Sequence, residues 1–222
     1  MKNYRVYLII SVLSLFVWNC TSTHQLENEK GYVLTKNQKE HIYTGTTNEP
    51  MRIWLITNPE DSILLRTKST NFELPKDAKD AEFLASRMLA TVTDSASLGV
   101  GIAAPQVGVL KNLILVQRFD LVDEPIVAYY NPKITSYSKL KQPCLEGCLS
   151  IPNKMDTTRN RAYAIILEHE LLNGEHKQEL VEDFTAVIFQ HEIDHLNGIL
   201  FLDHLDQEIK DAEDSLMLKR HR

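Results

Sequence analysis

Two histidines four residues apart, with a glutamate directly after the first, form the sharpest chemical signal in this chain. The motif reads His191-Glu192-Ile193-Asp194-His195. Residues i and i+4 of a helix lie on one face about one turn apart, so two such imidazoles can bind one metal ion. A neighbouring carboxylate can then shuttle the proton of a water whose pKa the metal lowers toward about 7. The motif therefore predicts a metal-dependent hydrolase with Glu192 as its acid/base.

The alternative is a charged surface helix that happens to carry two histidines. His191 and His195 fall on the same stripe as Phe184, Val187 and Ile188. Unpaired imidazoles on an apolar face are costly, so the metal site is the better interpretation.

A catalytic site of this kind needs a third protein ligand beside one open position. The stretch Glu146-Gly147-Cys148-Leu149-Ser150 offers Cys148, whose thiolate would be a strong, soft ligand. From the residues alone, Cys148 could equally be a small buried hydrophobe or a disulfide partner of Cys144.

A glycine-containing stretch, Gly99-Val-Gly-Ile-Ala-Ala-Pro-Gln106, superficially matches a dinucleotide-binding fingerprint. No convincing strand precedes it, and Pro105 disfavours the helix that such a fingerprint opens. Glycine at position 101 is better explained by a backbone that passes close to a substrate. Gln106 would supply an amide donor.

The whole chain has 222 residues, of which 43% are hydrophobic and 24% are charged. This composition predicts one domain of ordinary size, with a buried core, plus an appendage. The net charge of −6 disfavours nucleic-acid binding and leaves small molecules and peptides as substrates.

The first twenty residues differ from the rest. Lys2 and Arg5 precede an apolar run, residues 6–18, and Cys20 follows. This order predicts a signal-like or lipoprotein-like segment over residues 1–20, in which Cys20 would carry a lipid and tether the protein to a membrane. An uncleaved anchor or a wrongly assigned start codon are the alternatives. Residues 21–50 are polar and read as a tether.

The rest of the chain alternates short strands with helices. Periodicity predicts a helix over residues 77–92, and Asp183 to Leu196 is predicted as the helix that carries the His motif, with Gly198 ending it. The predicted strands are residues 113–117, 126–130, 161–168 and 177–181, and Asn173-Gly174 supplies a hairpin turn. A charged helix over residues 206–219 closes the chain. We therefore expect an α+β fold with antiparallel sheets around the central His-motif helix, a helix before the glycine-containing stretch, and a C-terminal helical tail over residues 207–222.

Taken in order, GVGIAAPQ, EGCLS and QHEIDHLNG resemble the three signature motifs of the peptide deformylases. Asn131-Pro132-Lys133-Ile134 and residues 199–203 resemble stretches that flank those motifs in the family. The resemblance spans a catalytic domain over residues 51–206.

The resemblance implies a metal site and a reaction. Cys148, His191 and His195 would bind one divalent ion, Fe²⁺ by analogy with the family, with Zn²⁺, Ni²⁺ or Co²⁺ as alternatives. The reaction would remove the formyl group from N-formylmethionyl peptides or nascent chains through a metal-bound hydroxide, with Glu192 as general base and then acid.

It also implies roles for three further positions. Gln106 and the backbone N–H of Leu149 would stabilise the developing oxyanion, and Gly101 would contact the formyl group or the peptide backbone. The family works in the cytoplasm, whereas the segment ending at Cys20 suggests a membrane-anchored bacterial protein. The sequence leaves the oligomeric state open.

Two other functions stay open on the sequence. One is an extracytoplasmic metallo-amidase or peptidase that removes another N-acyl group, and the other is a non-catalytic lipoprotein that keeps the fold as a binding module. The complete set of ligands, together with Gln106 and Glu192, favours an enzyme.

Overall fold

The computed structural model describes residues 34–95 and 99–220, so the signal-like segment predicted over residues 1–20 lies outside the described part of the chain. The helices are α1 (Lys36–Ile42), α2 (Pro59–Leu65), α3 (Ala78–Val92), α4 (Asp183–Leu196) and α5 (Phe201–Arg220). The strands are β1 (Gly101–Ala103), β2 (Leu113–Gln117), β3 (Ile126–Tyr137), β4 (Lys141–Cys148), β5 (Ile151–Ala162), β6 (Ala164–Glu170) and β7 (His176–Glu182). Within the described helices, no segment is both long enough and apolar enough to cross a membrane.

The strands form two antiparallel sheets. One has five strands in the order β1-β2-β3-β6-β7, and the other is the ribbon β4-β5. Helix α4 contacts strands of both sheets, and α5 packs against β5. This is the α+β architecture that the sequence predicted, with antiparallel sheets and a C-terminal helix.

Apolar side chains occupy both faces of the five-stranded sheet. One core cluster joins α3 to the sheet through residues such as Leu84, Met88 and Leu115. The other joins the sheet to α4 through residues such as Ile114 and Phe189, whose side chain is fully buried. Because α4 is anchored along its length by this second cluster, the side chains of its other face are held at defined positions above β4 and β5.

Helix α4 begins and ends where the sequence predicted. Asn197 caps it, and Gly198 follows with a left-handed φ of 72°. Glycine is favoured at such a position because it has no Cβ, and a Cβ on Gly198 would collide with the Arg66 carbonyl.

One predicted strand, residues 161–168, is in fact the end of β5 and the start of β6. The break falls at Tyr163, whose N–H donates to the Leu140 carbonyl at 2.9 Å while its own carbonyl accepts from Asp183 at 2.8 Å. Here the chain leaves the ribbon and enters the large sheet. In the sequence, the alternation of Tyr163, Ile165 and Leu167 runs across this one-residue corner without a turn residue, so the pattern alone could not locate it.

The two short helices α1 and α2 were not predicted from the sequence. Helix α1 lies in the stretch expected to be a tether, and a capping box between Thr35 and Gln38 begins it. Its residue Ile42 is fully buried, and Leu34, just before it, belongs to the same core cluster. A helix of seven residues has too few apolar positions to show a period, so only packing reveals it. The predicted C-terminal helix also begins earlier than expected, at Phe201.

Candidate metal centre

Cys148, His191 and His195 offer one ligand atom each, and these atoms all lie within 4.8 Å of one another. Cys148 is the last residue of β4, and the histidines are one turn apart on α4, with ring centroids 5.1 Å apart. Cys148 Sγ lies 3.2 Å from His195 Nε2. The tertiary fold therefore brings a thiol from the ribbon onto the two imidazoles of the helix, as a tetrahedral site with one open position requires.

The protonation chemistry of these groups fits a bound divalent cation. Burial raises the pKa of the Cys148 thiol, but the His195 and His191 imidazoles outweigh it and hold that pKa well below its ordinary value. The thiolate, which is the metal-ligating form, is thereby favoured. Glu192 Oε2 is buried without a hydrogen-bond partner among the described residues, as expected for an atom that faces a metal and its water. One sulfur and two imidazole nitrogens suit Fe²⁺ or Zn²⁺ better than Mg²⁺ or Ca²⁺.

Glu192 lies against the glycine-containing stretch. Its carboxylate is so close to β1 that a Cβ placed on Gly101 would lie 2.5 Å from Glu192 Oε1 and 2.9 Å from Ile188 Cγ2. Burial raises the pKa of Glu192 to about 7, although His191 and His195 act in the opposite direction. A carboxyl group with a pKa near neutrality can both accept and release a proton during one turnover.

We expect Gly101→Ala to lower kcat about a hundredfold without removing the metal, because the added methyl group must displace the Glu192 carboxylate. A shift of about 1 Å in a catalytic group can cost this much. Steady-state kinetics beside metal analysis of the same sample would measure it. A variant that folds, holds a full equivalent of metal and keeps wild-type kcat would contradict this close approach.

Gln106 and Leu149 both adjoin Cys148. Gln106 sits in a 3₁₀ turn, Ala104–Val107, where its Oε1 accepts from the Ala103 N–H at 2.8 Å. That bond orients the amide so that Nε2 points at Cys148 Sγ, 3.4 Å away. Leu149 follows Cys148 in the tight turn that leads to Ile151.

The predicted site residues therefore converge on one place. A cavity of about 600 Å³ is lined by six of them, namely Gly101, Gln106, Cys148, Leu149, His191 and Glu192. His195, the seventh, is buried beneath and contacts Cys148. Cys144 and Cys148 are both free thiols, which excludes the disulfide between them that the sequence left open.

A buried ionic network behind the metal ligands was not predicted. Glu146 Oε2 accepts from His191 Nδ1 at 2.7 Å, and Arg161 holds both Glu146 oxygens at 2.8 Å. Arg161 also donates to Asp194 at 2.6 Å, and His204 lies 2.8 Å from the same Asp194 oxygen. With its Nδ1 engaged by Glu146, His191 keeps Nε2 as the nitrogen that could bind a metal ion.

The charge on Glu146 is maintained by its partners. Burial raises the pKa of this carboxyl, but hydrogen bonds from His191 and Arg161 more than offset the effect, and its pKa lies well below the ordinary range. Glu146 lies inside the EGCLS motif and Asp194 lies inside the HEIDH motif. Their positions in these motifs could therefore have identified them as functional residues. Arg161 had no such signal, since it is far from both motifs along the chain.

We expect Arg161→Met to destabilise the protein by about 3 to 5 kcal/mol, because the buried Glu146 and the partly buried Asp194 lose their common counter-charge. Metal affinity should also fall about 10- to 100-fold, as is typical when the partner that orients a ligand is disturbed. Denaturant unfolding and competition with a chelator would measure the two effects. The matched control is Arg159→Met on the same strand, an exposed position where the change should stay within about 0.5 kcal/mol. Equal stability of the two variants would contradict the role of the network.

Comparisons with known proteins agree on one family. The family model described as polypeptide deformylase matches residues 52–211. The peptide deformylase of a Caulobacter species is 36% identical over 172 residues, covering 77% of this chain and 96% of the relative. That of a Synechocystis species is 42% identical over 132 residues, covering 59% of this chain and 68% of the relative.

Solved structures agree as well. A class I type b peptide deformylase from Acinetobacter baumannii, in a crystal structure with bound Met-Ala-Ser, superposes with a TM-score of 0.60 at 32% identity, covering 71% of this chain and 99% of that chain. The enzyme from Thermotoga maritima superposes with a TM-score of 0.61 at 29% identity, covering 70% of this chain and 97% of that chain.

An α+β fold that brings two helical histidines, a strand cysteine and a buried glutamate together at one cavity and directly beneath it defines a metal-dependent hydrolase. The family match and the relatives narrow that class: the chain belongs to the polypeptide deformylase family. It is accordingly an enzyme that removes the N-formyl group from peptides.

Proposed function

We propose that the chain hydrolyses N-formylmethionyl peptides at a ferrous ion held by Cys148, His191 and His195, with Glu192 moving the proton. The observation that supports this most directly is the convergence of the three ligand atoms within 4.8 Å, beside a buried carboxylate, in a cavity that a peptide can enter.

The ligands and the acid/base divide the chemistry between them. When bound, the metal ion polarises a carbonyl oxygen and lowers the pKa of water. Glu192 takes a proton from the attacking water and passes it to the departing amine as the C–N bond breaks. Formyl peptide and water thus become formate and a peptide with a free amino group, and Glu192 returns to its starting state.

Gln106 and Leu149 would stabilise the charge that develops on the formyl oxygen. The bond from the Ala103 N–H to Gln106 Oε1 holds the amide so that its N–H group points at Cys148, which lines the cavity beside it. A donor oriented before the reaction stabilises a developing oxyanion without reorganisation, and one such donor contributes about 10²- to 10³-fold in kcat. Gly101 would leave room for the formyl group and the peptide backbone beside Glu192.

The first side chain of the substrate would enter the part of the cavity next to α4. Val187 and Ile188 line it on the helix, and Cys144 lines it on β4. These side chains offer an apolar and polarisable surface, which suits the unbranched thioether of methionine.

The test is hydrolysis of formyl-Met-Ala-Ser by protein purified and loaded with metal under anaerobic conditions. Acetyl-Met-Ala-Ser and unblocked Met-Ala-Ser serve as matched peptides that separate deformylation from removal of other acyl groups and from peptidase activity. We expect formate release from the formyl peptide alone. Equal hydrolysis of the acetyl peptide, or no formate at any metal loading, would overturn the proposal.

The identity of the metal is tested in the same assay. We expect the highest activity after loading with Fe²⁺ and less after loading with Zn²⁺, with Ni²⁺ and Co²⁺ for comparison. The Fe²⁺ activity should decay in air because a thiolate-ligated ferrous site is open to oxidation. A Zn²⁺-loaded enzyme that matches the Fe²⁺ enzyme and is stable in air would contradict the assignment of iron.

The N-terminal segment that ends at Cys20 remains proposed as a membrane tether. Labelling of cells with a fatty-acid probe, with Cys20→Ser as control, tests it directly. Labelling that survives the substitution would contradict lipidation at Cys20.

A further inference from the structure

Strand β4 has one edge that no other strand pairs with in the described part of the chain. Its inner edge pairs with β5 in a regular antiparallel register, in which Leu145 lies opposite Thr157 and Gly147 lies opposite Met155. Residues 144–148 of β4 line the cavity, and Gly99, Val100 and Gly101 line it as well. An extended peptide can add to such an edge through its backbone.

The cavity reaches both faces of this ribbon. Cys144, Glu146 and Cys148 alternate onto the face that is turned toward α4, where Glu146 and Cys148 contact His191 and His195. Leu145 and Gly147 therefore fall on the opposite face, together with Met155. Leu145 and Met155 both line the cavity, so its mouth extends around the edge of β4 to the solvent side.

Leu145 and Met155 are large apolar side chains that the described part of the chain leaves exposed. Leu145 is 60% exposed and Met155 is 63% exposed. The register makes them diagonal neighbours, at a separation where long side chains touch. Met155 lies over Gly147, where a Cβ would be 3.2 Å from Met155 Cγ. The two side chains thus form one apolar surface, called here the shelf.

The charged residues near the shelf do not favour an acidic or a basic ligand. Apart from His191, the one basic residue among the described residues of the cavity lining is Lys154. Its ammonium lies 3.4 Å from Asp156. The ligand that best complements the shelf is therefore apolar, and its continuity with the metal centre indicates the substrate itself.

We propose that the shelf of Leu145 and Met155 receives the side chain of the residue that follows formyl-Met, so that the enzyme prefers substrates with a large apolar second residue. This inference rests on the proposed function. Successive side chains of an extended peptide point to opposite faces. When the methionine side chain lies on the α4 side of β4, the next side chain must project toward the shelf.

The test compares two peptides that differ only at the second residue, formyl-Met-Leu-Ser and formyl-Met-Ser-Ser. For the wild type we expect kcat/KM to be about tenfold higher on the Leu peptide, the size of effect that burying one apolar side chain against a partly open surface produces. In the double variant Leu145→Ser, Met155→Ser, the ratio should fall close to one. The matched control is Leu180→Ser on β7, a residue that is 58% exposed and outside the cavity, which should keep the wild-type ratio.

The possible outcomes distinguish failure of this inference from failure of the proposed deformylase function. Equal kcat/KM for the two peptides in the wild type, or a preference that survives in the double variant, overturns the shelf and leaves deformylase activity standing. Failure to hydrolyse either peptide overturns both. Sedimentation of the same proteins adds a further outcome. The wild type could self-associate while the double variant does not, with the same ratio of kcat/KM between the two peptides in both proteins. The shelf would then be a contact between copies of the chain, and the proposal would be wrong.

Discussion

Replacing Glu192 by Gln should lower kcat on formyl-Met peptides about a thousandfold or more while the metal stays bound. The amide has the shape of the carboxylate but cannot take the proton from water or return it to the amine, and general acid–base catalysis contributes about 10²- to 10⁴-fold. Glu192 is the one residue in this site that we expect both to take the proton from water and to return it to the amine. Steady-state kinetics on protein whose metal content has been measured would give the fall in kcat.

The control for this substitution is available at the start of the same helix. Glu182 is exposed, precedes α4 and makes no capping bond with its side chain. Glu182→Gln should therefore keep wild-type kcat and wild-type metal content. If Glu192→Gln retains more than a tenth of the wild-type kcat with metal bound, another group carries the proton.

Replacing Cys148 by Ser should remove the metal and, with it, the activity. A neutral hydroxyl is a far weaker ligand than the thiolate that His191 and His195 stabilise in this site. Disturbing a residue that merely orients a ligand typically costs 10- to 100-fold in affinity. Loss of the ligand itself should exceed that range, so the variant should purify without stoichiometric metal. Metal analysis and chelator competition would measure it.

Cys144 provides the matched control because it is a second free thiol on the same strand. It is not within the group of atoms that can reach the metal. Cys144→Ser should keep a full equivalent of metal. Equal loss of metal from both variants would mean that the effect comes from damage to β4 rather than from the missing ligand.

Local pattern was sufficient for the elements that carry the chemistry. The spacing of His191 and His195, and their place on an apolar stripe, predicted a helix whose ends the structure reproduces. Strand β2 was predicted from its run of β-favouring apolar residues, and helix α3 was predicted because it is long enough to show its period. Local pattern missed α1 and α2, which have seven residues each, and also the three-residue strand β1 and the strand β4.

Local pattern was insufficient wherever the chain changes partners. The alternation of Tyr163, Ile165 and Leu167 in the sequence reads as one strand because no turn residue marks the corner between β5 and β6. Which sheet each half joins is decided by pairing with Lys141–Cys148 on one side and His176–Glu182 on the other. No window of neighbouring residues contains that information.

The sequence by itself determined the donor types, the spacing of the two histidines and, through the order of three motifs, the family. Only the tertiary structure decided that Cys148 contacts His195. It also decided that Gly101 must lack a side chain, because Glu192 occupies the space. Arg161 likewise supplies the counter-charge of the ionic network behind His191 only because the fold brings it there. The physical reason is that backbone periodicity is a local property, repeated every two or 3.6 residues. Contacts between residues 15 or more positions apart, such as Glu146 and Arg161, depend on how apolar faces pack, and packing is a property of the whole chain.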